Sequence, residues 1–368
     1  MTKNIGKNPI LLLIDGNSLL HRAYHALPPL TDKNGEMANA VFGFSNMLLK
    51  AIDEVKPTHV ACTFDTAAPT FRHIEFEKYK AQRKAPPPDL YPQLPKVKKV
   101  LDAFGIPYFE KEGYEADDLL ATIAVKIAGP VSSFPPASAR SSGKSKVGRK
   151  DNVELRAVGI PSRTATPNFD VVILSGDRDV LQLVDGNIKV QMPSFALQSR
   201  ASDGKPGWGV LMGAREVREK FGLETHQMVD YKSLIGDPSD NIPGIAGIGP
   251  KTAAQLLQKY HTLENLFEHV KETPLKVQEK LEKGRDIALA AKRLVELDRN
   301  VDLKFNIGNL KFDPDWDRVR AEYERLGFKS IAAKIPGVSN TPGVGSDSLG
   351  VSKIEKQPKN NDDQLKLI

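Results

Sequence analysis

The chain has 368 residues, enough for two domains with sizeable cores, and its 52 Lys and Arg against 46 Asp and Glu leave a formal net charge of +6. A single cysteine, Cys62, excludes an internal disulfide and a cysteine-based zinc site. The first apolar run, residues 10–14, stops at Asp15, too short for a signal-peptide core or a membrane span, so the expected setting is cytoplasmic.

Residues 10–14, 59–64 and 171–175 are short, continuous apolar runs, the pattern of parallel strands buried on both faces. Helical stretches at 41–55 and 94–104 separate them. The fold class is therefore α/β, with a mostly parallel central sheet flanked by helices. Each run ends in an acid: Asp15, Asp65, and Asp177 with Asp179. Open α/β sheets hold ligands at the carboxyl ends of their strands. One such acid is commonly a turn residue; three strands that each deliver one argue for a shared site.

After Asp65 comes a basic segment with Arg72, Lys78, Tyr79, Lys80, Arg83 and Lys84, followed by prolines at 86–88. Too polar for a core, it suits either a mobile arch over a phosphate backbone or an ordinary charged helix and loop. Residues 113–118 then put Glu115, Asp117 and Asp118 within one turn of a helix start, with apolar residues at helical spacing behind them. A helix N-terminus tolerates negative charge. Acids this close still repel unless a cation sits between them. The stretch reads as an oxygen-ligand site for Mg²⁺ or Mn²⁺, or as an acid-rich helix cap on a solvated face.

Residues 129–168 are poor in large apolar groups and rich in Ser, Pro, Lys and Arg, which predicts a flexible insertion. From about residue 215 the pattern turns helical. Residues 236–241 lead into 242–252, which has the form of a helix–hairpin–helix. Its Gly247-Ile248-Gly249 turn would let backbone N–H groups approach a phosphate at the next helix start, with Lys251 adding charge. The alternative is a tight helical turn with no ligand. Further helices are expected at 253–260, 275–297 and 316–326. The expected division is an α/β domain at 1–195, a helical domain at 196–335 and a disordered tail at 336–368.

Jointly these motifs resemble the 5′-nuclease family, in particular the 5′→3′ exonuclease domain of bacterial DNA polymerase I and, more distantly, flap endonucleases. The stretches that carry the likeness are Leu13-Ile14-Asp15-Gly16-Asn17, Phe64-Asp65, Phe71-Arg72, Tyr79-Lys80, residues 113–118, Gly176-Asp177-Arg178-Asp179, and Gly236-Asp237 through Gly249. The resemblance implies a PIN-like 5′-nuclease fold with a basic arch and a helical helix–hairpin–helix domain. It implies two Mg²⁺ or Mn²⁺ ions. Asp15, Asp65, Glu115 and Asp117, with Asp118 close by, would form one site; Asp177, Asp179, Asp237 and Asp240 would form the other. It places Lys80 and Arg83 on the scissile phosphate and Arg22 and Arg72 near the 5′ strand. Tyr79 would stack on a base. Lys232, Lys251, Thr252 and the backbone of Gly247 and Gly249 would bind the DNA backbone, with K⁺ at the hairpin.

The implied activity is a structure-specific, metal-dependent 5′→3′ exonuclease or 5′-flap endonuclease, acting on DNA in primer removal and repair as a monomer. The alternative is a catalytically weak module of the same fold that binds branched DNA. A ribonuclease of the smaller related fold is disfavoured by the hairpin and the basic arch. No polymerase segment follows, so the chain reads as a stand-alone nuclease. Gln364, Leu365, Leu367 and Ile368 resemble the short peptide through which bacterial partners enter the sliding clamp; a frayed end is the alternative.

Overall fold

The computed structural model describes residues 8–129, 169–193 and 209–336. Most of the insertion and all but the first residue of the tail lie outside that range.

Six strands form one sheet in the order β3-β2-β1-β4-β5-β6. These are β1 (Ile10–Asp15), β2 (His59–Thr63), β3 (Tyr108–Phe109), β4 (Asp170–Leu174), β5 (Ile188–Pro193) and β6 (Gly209–Met212). The first five run parallel and only β6 is antiparallel, against β5. Alternate residues of β1 serve opposite cores, as a period of two requires. Leu12 and Ile14 join one cluster, Leu11 and Leu13 the other. The strand is apolar throughout because both faces are covered.

The first core is built with α1 (Gly16–Ala26), α2 (Asn39–Val55) and α4 (Leu94–Phe104), while the short α3 (Phe71–Glu75) opens the basic segment. Cys62 lies in it, buried and free, and burial pushes its thiol pKa up, so it is an inert packing residue. The second core rests on α5 (Ala116–Ala128), through Leu120, Ile123 and Ala124. From β1 the chain proceeds outward to β2 and β3, then returns to β4 on β1's other side. The crevice at such a reversal is where an open α/β sheet accepts a ligand.

The helical half comprises α6 (Ala214–Phe221), α7 (Met228–Ile235), α8 (Pro250–Tyr260), α9 (Leu263–Glu268) and α10 (Leu275–Val295). Leu234 of α7, Ile245 and Ile248 of the hairpin, Leu257 of α8 and Leu281 of α10 share its core.

The linear division at 195 does not follow the packing. β6 lies beyond it yet completes the sheet. α11 (Trp316–Leu326) and α12 (Lys329–Ala332) also return to the first core, where Val319, Tyr323, Leu326 and Ile331 are buried. Composition cannot reveal a late segment that covers an early sheet. Among the described residues no helix is long and apolar enough to cross a membrane.

Candidate active site

The site begins where β1 becomes α1 with no intervening loop. Asp15 caps α1, its Oδ1 accepting from the Ser18 N–H at 2.9 Å. Gly16 is required here because a Cβ would overlap the Phe64 ring. The second carboxylate oxygen of Asp15 accepts from Ser175 Oγ at 2.6 Å, which ties β1 to the end of β4. Burial pushes the Asp15 pKa up to about 7, with the charges of Asp65 and Asp177 adding to the effect and the bonds from Ser175 and Ser18 opposing it.

Asp65, after β2, is held by Asn17 Oδ1 at its own N–H (3.2 Å), and its Oδ1 accepts from Ala116 N at 2.7 Å. That bond docks the start of α5 beneath the end of β2. Burial, then the charge of Glu115, raises the Asp65 pKa. Glu115 accepts from Tyr79 O–H at 3.0 Å and from Lys80 Nζ at 2.5 Å. Asp117 is raised well above the ordinary carboxylate range by burial and by Asp118 and Glu115. Its Oδ1 is shut off from solvent and has no hydrogen-bond partner among the described residues.

Asp15, Asp65, Glu115, Asp117 and Asp177 thus line one cleft of about 680 Å³, with Lys80, Arg83 and Arg22 on its walls. Asp240 adjoins it through Lys80 and Arg83, while Asp179 and Asp237 are not among its lining residues and meet each other through Lys232. Lys232 pairs with Asp179 and, at 2.7 Å, with Asp237. Arg83 meets Asp240 at 2.5 Å, and Lys80 lies 3.7 Å from it. Burial would raise the Asp237 carboxyl, but Lys232 and Ser239 outweigh it and hold its pKa below the ordinary value. Asp177, at the cleft, is pushed upward by partial desolvation against the opposing pull of Lys232.

Several residues expected to touch DNA or metal are placed otherwise. Arg72 does not face a 5′ strand: it is 1% exposed, forks onto both oxygens of Asp118 at 2.7 and 2.8 Å, and donates to the Leu294 and Glu296 carbonyls at the end of α10. Asp118 is correspondingly 0% exposed and also accepts from the N–H groups of Glu115 and Asp298, so no lone pair faces the cleft. The Tyr79 ring is buried with Val229 and Ile242, and its O–H lies within hydrogen-bond distance of both Glu115 and Asp240.

Lys232 pairs with the carboxylates of Asp179 and Asp237. The basic segment does not arch freely either. Lys80 N donates to the Asp240 carbonyl at 2.9 Å, Asn241 Nδ2 donates to the Lys78 carbonyl at 2.7 Å, and Gln82 reaches Pro238 O. For Arg72 and Lys232, charge in the sequence suggested exposure, while a counter-charge on another element took the side chain inward.

Other cleft residues had no role assigned from the sequence. Asn17, Ser18 and Ser175 hold the carboxylates in place. His21, His25 and Tyr91 form an aromatic wall, with His21 Nε2 3.3 Å from Tyr91 O–H. Ser18 with Arg22, and His21 with His25, are four residues apart on the helix that Asp15 caps. That spacing was the available signal.

The hairpin stands apart from the cleft. Gly247 has φ +78°, a conformation that favours glycine, and its carbonyl accepts from Lys280 Nζ at 3.0 Å. Gly249 caps α8 without a side-chain bond, and Lys251 beside it is exposed while Thr252 is half-buried. A helix start of this kind suits a phosphate.

The geometry agrees with comparisons to known proteins. Residues 10–133 match the family model described as the 5′-3′ exonuclease, N-terminal resolvase-like domain. Residues 223–318 match the 5′-3′ exonuclease, C-terminal SAM fold. The chain belongs to the 5′-3′ exonuclease family. DNA polymerase I of Caldicellulosiruptor bescii is 37% identical over 328 residues, which is 88% of this chain and 33% of that protein. DNA polymerase I of Bacillus subtilis is 33% identical over 327 residues, 88% of this chain and 32% of that one. The chain therefore spans about a third of the length of these relatives.

The fold is also that of a bacteriophage T5 protein co-crystallised with metal ions (TM-score 0.52, 17% identity, 88% of this chain and 96% of that one). A T5 flap endonuclease solved with DNA and metal ions gives a TM-score of 0.53 at 17% identity, over 88% of this chain and 95% of that one.

The donor set fits hard divalent cations. All candidate ligands are oxygens, as Mg²⁺ and Mn²⁺ prefer, and the partnerless Asp117 Oδ1 is a buried polar atom in need of a cation or donor. Among the described residues no three acids yet converge on a common point. Lysine or arginine side chains sit on Glu115, Asp240, Asp179 and Asp237.

Proposed function

We propose that this family member hydrolyses DNA at 5′ ends and 5′ flaps, in primer removal and repair, with two divalent ions held in two carboxylate clusters. The observation that carries the reading is that acids from the ends of β1, β2 and β4 and the start of α5 line one cleft together with Asp117, whose Oδ1 has no partner among the described residues. Asp15, Asp65, Glu115 and Asp117 would hold the first ion, and Asp177, Asp179 and Asp237 the second, whether Mg²⁺ or Mn²⁺. When bound, a pair of such ions supplies a hydroxide near neutral pH and stabilises the leaving oxygen.

This chain's own side chains do the rest. Lys80 and Arg83, at the cleft wall, neutralise charge building on the phosphoryl oxygens. Asp240, the fourth acid of the second cluster, holds the Lys80 and Arg83 side chains in position. The hairpin of Gly247, Gly249 and Lys251 grips backbone phosphate, so binding is independent of sequence. Replacing Asp177 with Ala in a 5′-flap cleavage assay, with and without Mg²⁺, tests the reading. DNA binding should be kept and cleavage should fall by about 10³-fold or more. Full activity in the variant would remove the second cluster from the mechanism. A wild-type chain that binds flaps but never cuts them would favour the weak-module alternative.

K⁺ at the hairpin, a monomeric state and clamp binding through Gln364, Leu365, Leu367 and Ile368 remain proposals. Residues 364–368 lie outside the described range, and their deletion with a clamp-binding measurement decides that point.

A further inference from the structure

The two clusters differ in what already sits on them. In the first, Asp15, Asp65 and Asp117 make no hydrogen bond or ion pair to a lysine or arginine among the described residues; only Glu115 does, through Lys80 and, at 3.5 Å, Arg72. In the second, the Lys232 ammonium lies between Asp179 and Asp237. Its side chain is only 16% exposed, and both carboxylates are 12% exposed. Lys232 is in the last turn of α7, whose packing against α10 fixes where the stem starts. The position is therefore built into the fold.

We propose that Lys232 is the resident counter-cation of the second cluster, and that the second divalent ion enters only by displacing it. The inference rests on the two-cluster reading above. An ammonium and a divalent ion compete for the same carboxylate lone pairs, and a unit positive charge a few ångströms from the ion opposes its entry. Without metal, the ammonium lets like-charged carboxylates stay ordered side by side.

Loading is therefore sequential. The first cluster offers three carboxylates that carry no such cation, Lys80 and Arg72 meeting only Glu115; at the second, one ammonium holds both Asp179 and Asp237 and must be released. Lysine suits this because its compact charge rides on a flexible four-carbon stem and can be carried away without moving the helix. Once released, Lys232 is free to meet a phosphate. Ion loading and substrate phosphate then act on the same side chain and favour each other, as linkage requires.

Mn²⁺ binding isotherms on the full chain, without DNA, test the proposal by reading free Mn²⁺ in wild type, Lys232→Met and Asp237→Asn. The wild type should show a tighter and a weaker class, with the weaker class lost in Asp237→Asn. Lys232→Met should tighten the weaker class by about tenfold or more and leave the tighter class within about twofold. A weaker class that is unchanged or weakened in Lys232→Met overturns the displacement. A wild type with one class that Asp237→Asn does not touch overturns the two-cluster reading and the proposal with it. If Lys232→Met fails to fold without metal, Lys232→Gln removes the charge, keeps a donor, and gives the same readout.

Discussion

Asp15 is an acid held between two needs. Its folded pKa of about 7 lies above the value of 3.8 for an exposed aspartate. Between those values the folded protein binds more protons than the unfolded chain, so stability falls as pH rises from about 4 to about 7. Asp65 and Asp117 are displaced in the same direction. In EDTA, Asp15→Asn should melt above the wild type at pH 8, by no more than about 4 kcal/mol, with the gap closing near pH 4. Added Mg²⁺ should reverse the order, since only the carboxylate repays its ionisation by binding metal. Thermal melts over that pH range check both signs. Arg72 is the opposite case, a buried charge whose partner Asp118 is buried with it. Arg72→Met strands that carboxylate and should cost about 3–5 kcal/mol in urea unfolding. A loss under 1 kcal/mol with weakened flap binding would return Arg72 to a DNA-contact role.

At the scale of elements, α5 and the hairpin show how much a local pattern can say. Residues 113–118 predicted a helix start rich in acid, and α5 begins at Ala116. Its acids diverge in fate: Asp117 faces the cleft, while Asp118, one residue on, turns about 100° around the helix to Arg72. Helix periodicity separates neighbours in this way, but it does not say which face meets the site until the partner elements are in place. The hairpin is more local. Its glycines, its cap and Lys251 belong to one short stretch, so its shape was legible at once. Lys251→Ala should weaken duplex binding equally for all sequences and lower the salt slope of log K by about one, measured by anisotropy over a salt series.

For the whole molecule, the C-terminal segment decides stability. Val319, Tyr323, Leu326 and Ile331 are each 0–1% exposed against the first core. Each such side chain contributes about 1.5–3 kcal/mol, so together they rival the net stability of a domain, about 5–15 kcal/mol. A chain ending at residue 309 should therefore lose cooperative melting of the α/β half by circular dichroism. A separable α/β domain would melt unchanged.

The strands, the acids at their ends, the acidic helix start and the hairpin could be read from sequence because each is a short-range pattern set by periodicity and turn chemistry. Tertiary structure alone decided which charges meet. Arg72 joins Asp118 across 46 positions, Tyr79 reaches Asp240 across 161, and Lys232 reaches back to Asp179 across 53. Charge in a sequence carries no address for its partner. The fold supplies one by taking both groups out of water together, where neither can remain ionised alone.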